Sequence, residues 1–168
     1  MAELNLYLLR HGIAVEGDLF PGPDRDRPLT AKGERKTREV AREFLNFGIE
    51  ADLILSSPLL RAHQTSQLFL EAGVAPELAI SDTLAPAGSF GDWLQWLDHW
   101  RDETHTSLML VGHEPNLSHW TELLLWGKSR GSLQLKKAGV IGLTLPEGDP
   151  VGNSLLFWLT PPKFILKD

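Results

Sequence analysis

The stretch LYLLRHG, Leu6 to Gly12, opens as a buried strand and then sets an arginine and a histidine side by side before a glycine. Two later stretches share this design. DLILSSPLLRAHQT (52–65) and SLMLVGHEP (107–115) each end an apolar run in polar residues and pass into a proline-initiated helix. Parallel strands joined by helical crossovers carry their C-terminal ends on one edge of the sheet, and open α/β sheets bind ligands outside that edge. Arg10, His11, Arg61 and His113 can therefore converge although a hundred positions separate them.

Outward from these stretches, strand and helix alternate. Leu4 to Arg10 reads as strand. Thr30 to Phe47 reads as an amphipathic helix with Val40, Ala41, Phe44 and Leu45 on one face and Gly48 as its stop. Asp52 to Ser56 follows as strand, with Ser57 as N-cap and Pro58 as the first position of a helix reaching Gly73. Glu77 to Ser81 reads as a short strand. Ser89 caps a helix carrying Trp93, Trp96, Leu97 and Trp100 at helical spacing, a stripe read as core packing rather than a ligand box. Ser107 to Gly112 is strand, Pro115 to Trp126 helix. The runs GVIGLTL (139–145) and SLLFWLT (154–160) close the chain as antiparallel edge strands. The expected fold is α/β, a three-layer sandwich with a mostly parallel sheet and helices on both faces, formed by residues 1–168 as one domain. The segment from Gly12 to Leu29, with GDLFPGPDRDRP inside it, lacks periodicity and is either a functional lid or a surface loop.

Composition narrows the function classes. The 168 residues contain 42% hydrophobic and 23% charged residues, ordinary for a chain that buries a core. Sixteen Lys+Arg against 22 Asp+Glu leave a net charge of −6, which argues against nucleic acid or an anionic membrane as partner. The absence of cysteine excludes disulfides, thiolate metal sites and a cysteine nucleophile, and fits a cytoplasmic protein. The N-terminal apolar run is too short and lacks the basic start of a signal peptide, and no unbroken apolar stretch has the roughly 18 residues of a membrane helix.

Two guanidiniums offer forked donors to a tetrahedral oxyanion, and Arg61, near the fourth position of its helix, lies close to the positive end of the helix dipole. Phosphate fits such a site. Gly12 removes a side chain where the backbone approaches the ligand. His11 could attack phosphorus through a neutral ring nitrogen and carry the phosphoryl group, while a protonated His113 would stabilise the equatorial oxygens. Each residue alone is a common surface or capping feature, and their joint placement at three strand ends is the signal. His99, His105 and His119 read as surface or structural, and His63 as a rim residue. HEPNLSH (113–119) fails as a zinc-protease helix because Leu117 stands where histidine is required, and WGKS (126–129) fails as a phosphate loop because Glu122 replaces its first glycine. Lys128, Arg130, Lys136 and Lys137 form a small basic run, either a solvated turn or a contact for an acidic partner.

The motifs LLRHGIA (8–14), RPLTAKGERKTREVA (27–41), LILSSPLLRAHQT (53–65) and LVGHEPNLS (110–118) resemble the histidine phosphatase superfamily, also called phosphoglycerate-mutase-like, and more narrowly its short SixA-type phosphohistidine phosphatases. They cover most of the chain in order. The resemblance implies His11 as phosphorylated nucleophile, a phosphate pocket of Arg10, Arg61 and His113, and a reaction without metal or other cofactor. The expected substrate is a phosphorylated protein, such as a phosphohistidine domain, or a small phosphorylated compound. Many superfamily members carry a glutamate donor after the third strand, whereas DTLAPAGSFGDW (82–93) offers only Asp82 and Asp92. Glu114 stands where phytase-like relatives place their acid and is the candidate proton donor. Its other reading is an acidic residue favoured at a helix start. A mutase and a non-catalytic phosphate-binding module remain as rival functions.

Overall fold

The computed structural model describes residues 2–167. The elements in chain order are β1 (Leu4–Arg10), α1 (Ala31–Asn46), β2 (Leu53–Ser56), α2 (Leu60–Ala72), β3 (Leu78–Ile80), α3 (Phe90–Trp100), β4 (Ser107–Gly112), α4 (Asn116–Trp126), β5 (Val140–Leu145) and β6 (Leu155–Thr160), with three short 3₁₀ turns among the connections and a fourth after β6 among the described residues. They build one six-stranded sheet in the order β3-β2-β4-β1-β5-β6. The first four strands of that order are mutually parallel; β5 pairs antiparallel with β1 and β6 antiparallel with β5, so β6 is an edge strand while β5, expected at the edge, lies inside the sheet between β1 and β6.

Alternation along β1 divides the core in two. Leu4, Leu6 and Leu8 face a layer containing Trp93, Leu97, Leu117, Trp120 and Leu124, so α3 and α4 cover that face. Tyr7 and Leu9 face Val40, Ala41, Phe44, Ala62 and Phe69, so α1 and α2 cover the other. The fold is thus the three-layer α/β sandwich. The tryptophan stripe belongs to the core. Trp93 is fully buried and stacks on Trp120 at 5.3 Å, while Trp96 and Trp100 are partly buried against the same cluster.

Local chemistry sets the helix ends. Thr30 caps α1 by accepting a hydrogen bond from Gly33 N, Ser89 caps α3 by accepting from Asp92 N, and Gly73 closes α2 in the left-handed region at φ 91°. The start of α2 differs from the sequence expectation. Its N-cap is Leu59, because Ser57 Oγ accepts from Leu59 N at 3.2 Å and also engages His113, so Ser57 and Pro58 stay outside the helix. Arg61 becomes the second residue of α2 rather than about the fourth, closer still to the positive helix end.

Register aligns the strand ends. Arg10 pairs with Gly112, and Ser56 pairs with Val111. His11 N then donates to Gly112 O at 3.1 Å, and Ser57 N donates to Val111 O at 2.9 Å. The segment after His11 is no free loop. Ala14 bridges Leu29, Val15 N donates to Pro28 O, and Leu29 N donates to Gln64 Oε1 at 2.8 Å, so the excursion is closed at its neck and fastened to α2.

Candidate active site

The strand-end residues form one cluster at the C-terminal edge of the parallel sheet. His11 is buried, and its Nδ1 lies 2.7 Å from Gly12 O. A carbonyl oxygen only accepts, so Nδ1 carries the proton and Nε2 keeps its lone pair. Gly12 N donates in turn to Thr65 Oγ1 at 3.0 Å, and Thr65 Oγ1 donates to Arg61 O at 2.8 Å. Both polar groups of the Gly12 backbone are thereby engaged within the protein. A side chain there would collide with Thr37 Oγ1, so packing against α1 accounts for the glycine, where the sequence suggested approach to a ligand.

The ring of His113 lies 5.2 Å from that of His11 between centroids, and its Nε2 is 2.7 Å from Ser57 Oγ. Arg10 donates through one terminal nitrogen to Leu135 O at 2.9 Å. Arg61, almost fully buried, donates to Asp24 O at 3.0 Å and Asp24 Oδ2 at 3.2 Å. Asp24 also pairs with Arg27 Nε at 3.0 Å, and Arg27 donates to Val15 O at 2.7 Å. Arg10 Nε, Arg61 Nε and His113 Nδ1 are buried and have no hydrogen-bond partner among the described residues. The arginine nitrogens are donors, and His113 Nδ1 is one in the tautomer whose Nε2 accepts from Ser57 Oγ; buried donors are normally satisfied, and an oxyanion with several acceptor oxygens would satisfy such a set.

Electrostatics fix the charge state. Burial pushes the His11 pKa down to about 3; its bond to Gly12 O opposes this, and the charges of His113, Arg61 and Arg10 reinforce it. His113 is pushed down to about 4, again chiefly by burial, then by Arg61, with Asp24 opposing. Both imidazoles are neutral near pH 7 in the free protein. That differs from the protonated His113 entertained from sequence: two neighbouring guanidiniums and a buried position disfavour a further charge. Asp24 is held below the usual carboxylate range, since burial, which raises it, is outweighed by the bond from Arg27 and the charge and bond of Arg61.

Glu114 is engaged within the protein, with its charge acting on Arg10. Its Oε1 accepts from Ser118 N at 3.0 Å, and its Oε2 accepts from Ser118 Oγ at 2.6 Å and Leu135 N at 3.4 Å. The carboxylate ties the first turn of α4 to the residue whose carbonyl holds Arg10. Asp92 sits exposed in the first turn of α3, and Asp82 is exposed in a 3₁₀ turn. His99 and His119 are exposed, His105 stacks on Trp100 at 4.1 Å, and His63 is half-buried.

Sequence reading missed Ser57, Thr65, Asp24 and Arg27. Thr65 was accessible, four residues after Arg61 and so on the same helix face. Ser57 was hidden by its resemblance to a cap, and Asp24 and Arg27 by a segment without periodicity.

The model of the histidine phosphatase superfamily (branch 1) matches residues 6–109. An uncharacterised protein of Picosynechococcus is 41% identical over 165 residues, covering 97% of this chain and 99% of that one. The phosphohistidine phosphatase SixA of Escherichia coli is 26% identical over 160 residues, covering 95% and 94%. Among solved structures, the protein histidine phosphatase SixA complexed with tungstate superposes with a TM-score of 0.84 at 24% identity, covering 97% of this chain and all of that one. The α-ribazole phosphatase of Shigella flexneri shares the fold at a TM-score of 0.69 and 18% identity, covering 95% and 97%. The family match over most of the site, the full-length relatives and the shared architecture together establish that this chain belongs to the histidine phosphatase superfamily, among SixA-type relatives.

Proposed function

We propose that this protein is a phosphohydrolase that removes the phosphoryl group from phosphohistidine on a protein, by way of a covalent intermediate on His11. The observation that carries the reading is the state of His11: Nδ1 is fastened to Gly12 O, the ring is neutral, and Nε2 keeps a lone pair beside Arg10, Arg61 and His113. Nε2 attacks phosphorus, the bond from phosphorus to the leaving nitrogen breaks, and that nitrogen keeps the electron pair and takes a proton from water. Water then attacks the phosphorus carried on Nε2, the phosphorus–nitrogen bond breaks, phosphate leaves with the water oxygen while the proton passes to solvent, and Nε2 recovers its lone pair. Arg10 and Arg61 hold the transferring oxygens, and His113 joins them through Nδ1. The guanidiniums supply the positive charge that the transfer needs, so the reaction runs without a metal.

Substrate preference follows from Glu114. All three of its hydrogen bonds are accepted ones, spent on Ser118 and Leu135, which supports a substrate whose leaving group departs without an enzyme acid. An alkoxide leaves badly under those conditions, and a histidine ring protonated by solvent leaves well.

Two measurements test this. Acid quenching of labelled substrate should trap phosphate on His11, and His11→Ala should abolish both label and turnover while circular dichroism stays native; label on another residue overturns the assignment. Across substrates, kcat/KM should be far higher for phosphohistidine and activated aryl phosphates than for alkyl phosphates, with or without a chelator. Preference for a sugar phosphate would point to a donor-equipped general phosphatase, and binding without steady phosphate release to a non-catalytic module.

A further inference from the structure

Beside the strand-end cluster lies a groove of about 560 Å³ whose lining includes Arg10 and Ile13. Besides Arg10, its lysines come from three separate places: Lys36 on α1, Lys136 and Lys137 before β5, and Lys163 in the 3₁₀ turn Pro162–Phe164. No acidic residue lines it, and none of the four lysines is ion-paired among the described residues. The chain as a whole carries a net charge of −6, so this local excess runs against the average. Pro161, Pro162 and Phe164 add an apolar lining; Phe164 is 74% exposed, with Lys163 Nζ 4.9 Å from the centre of its ring.

We propose that this groove docks an acidic, leucine- or phenylalanine-bearing segment of the phosphorylated protein substrate, next to the phosphorylated side chain that enters the His11 site. The inference rests on the phosphatase reading and names what that substrate carries beyond its phosphoryl group. Charge complementarity selects carboxylates for the lysines, and the prolines and Phe164 select apolar side chains between them. A compact polyphosphate would match the lysines and leave the apolar lining uncovered. Arg10 belongs to both the groove and the strand-end cluster, so the occupant of one leads directly into the other. The basic run read from the sequence divides accordingly: Lys136 and Lys137 line the groove, and Lys128 and Arg130 do not.

The test uses the full chain and two synthetic phosphohistidine peptides of equal length, one flanked by glutamate and leucine, the other by lysine and leucine. Wild type should hydrolyse the acidic peptide with a kcat/KM about tenfold above the basic one, the gap narrowing as salt rises. Lys136→Glu combined with Lys163→Glu should bring that ratio to one or below. Lys36→Gln, a milder change on a helix surface, should lower it part of the way. Equal rates on the two peptides in wild type, or a ratio untouched by these substitutions, overturn the groove and leave the phosphatase intact. Fluorescence anisotropy of the unphosphorylated acidic peptide gives a readout free of turnover. If neither phosphopeptide is cleaved yet the acidic peptide binds wild type more tightly than the charge-reversed variant, the phosphatase reading fails and the groove stands. Displacement of that peptide by sodium tripolyphosphate at concentrations below the peptide's own Kd would mark a small-anion site and overturn the proposal.

Discussion

At the scale of single residues, the site depends on how few ways each polar group can be satisfied. Gly12 O fixes the tautomer of His11, and Thr65 fixes Gly12, so the orientation of the proposed nucleophile is inherited from α2. Arg61 gives its terminal nitrogens to Asp24 and keeps Nε without a partner. Arg61→Ala should therefore lower kcat by about 10²–10³, the cost of losing an oxyanion donor, with little change in the far-ultraviolet spectrum. Arg61→Lys should recover only a fraction, because a point charge replaces a planar fork. A full recovery would show that charge alone matters. That Arg10, His11, Arg61 and His113 share one sheet edge was legible from sequence, because Arg10 closes β1, His11 and His113 directly follow β1 and β4, and Arg61 stands in the first turn of the helix after β2. Ser57 was legible as a polar residue but not as the partner of His113, since that contact depends on α2 starting three residues after it.

Among elements, the informative one is the excursion between β1 and α1. Its composition leaves a lid and a bland loop equally open, and only tertiary contact decides how it sits: Ala14 with Leu29 closes the neck, and Asp24 reaches Arg61. Asp24→Ala should loosen the excursion and the guanidinium together, lowering kcat/KM several-fold and exposing residues 15–28 to limited proteolysis. A rise in kcat/KM would mean instead that Asp24 competes with the substrate's oxyanion for Arg61. A second element is organised by a residue that sequence reading set aside. Glu122, buried on α4, accepts from Ser129 Oγ and from the backbone nitrogens of Arg130, Gly131, Ser132 and Leu133. These bonds, that from Arg130 foremost, hold its pKa down to about 2. The segment they fold leads to Leu135, whose carbonyl holds Arg10. Glu122→Gln replaces one acceptor oxygen by a donor, so amide exchange at Arg130–Leu133 should accelerate while the sheet core stays protected. Uniform acceleration throughout would make Glu122 a global rather than a local support. Helix periodicity cannot reveal this role, because the partners are backbone groups of an irregular segment.

For the whole molecule, the same features that prepare the site make the fold acid-sensitive. The mixed character of the sheet was legible, since strands linked by helices run parallel and the two closing strands pair antiparallel; the strand order was not, and β5 sits inside the sheet rather than at its edge. The burial that those layers impose on polar groups was not legible, and it sets the response to pH. His11 and His113 are neutral in the folded state with pKa values near 3 and 4, whereas an unfolded histidine titrates near 6.5. Between those limits the unfolded chain binds more protons, so stability present above about pH 6.5 is lost as pH falls. Glu122, at about 2 against an unfolded 4.5, and Asp24, also lowered, act in the same direction at lower pH. All four depressions have one sign, so no group offsets another. The urea midpoint should therefore hold nearly constant from pH 8 to 7, decline between about pH 6.5 and 4 as the unfolded histidines charge, and fall further below pH 4.5 as the carboxylates titrate. In a His11→Gln, His113→Gln double variant the first decline should flatten and the second persist, because the neutral amides remove the histidine titration alone. A midpoint that rises on acidification from pH 7 to 5 would require imidazoles that gain partners on folding, and would contradict the neutral His11 on which nucleophilic attack depends.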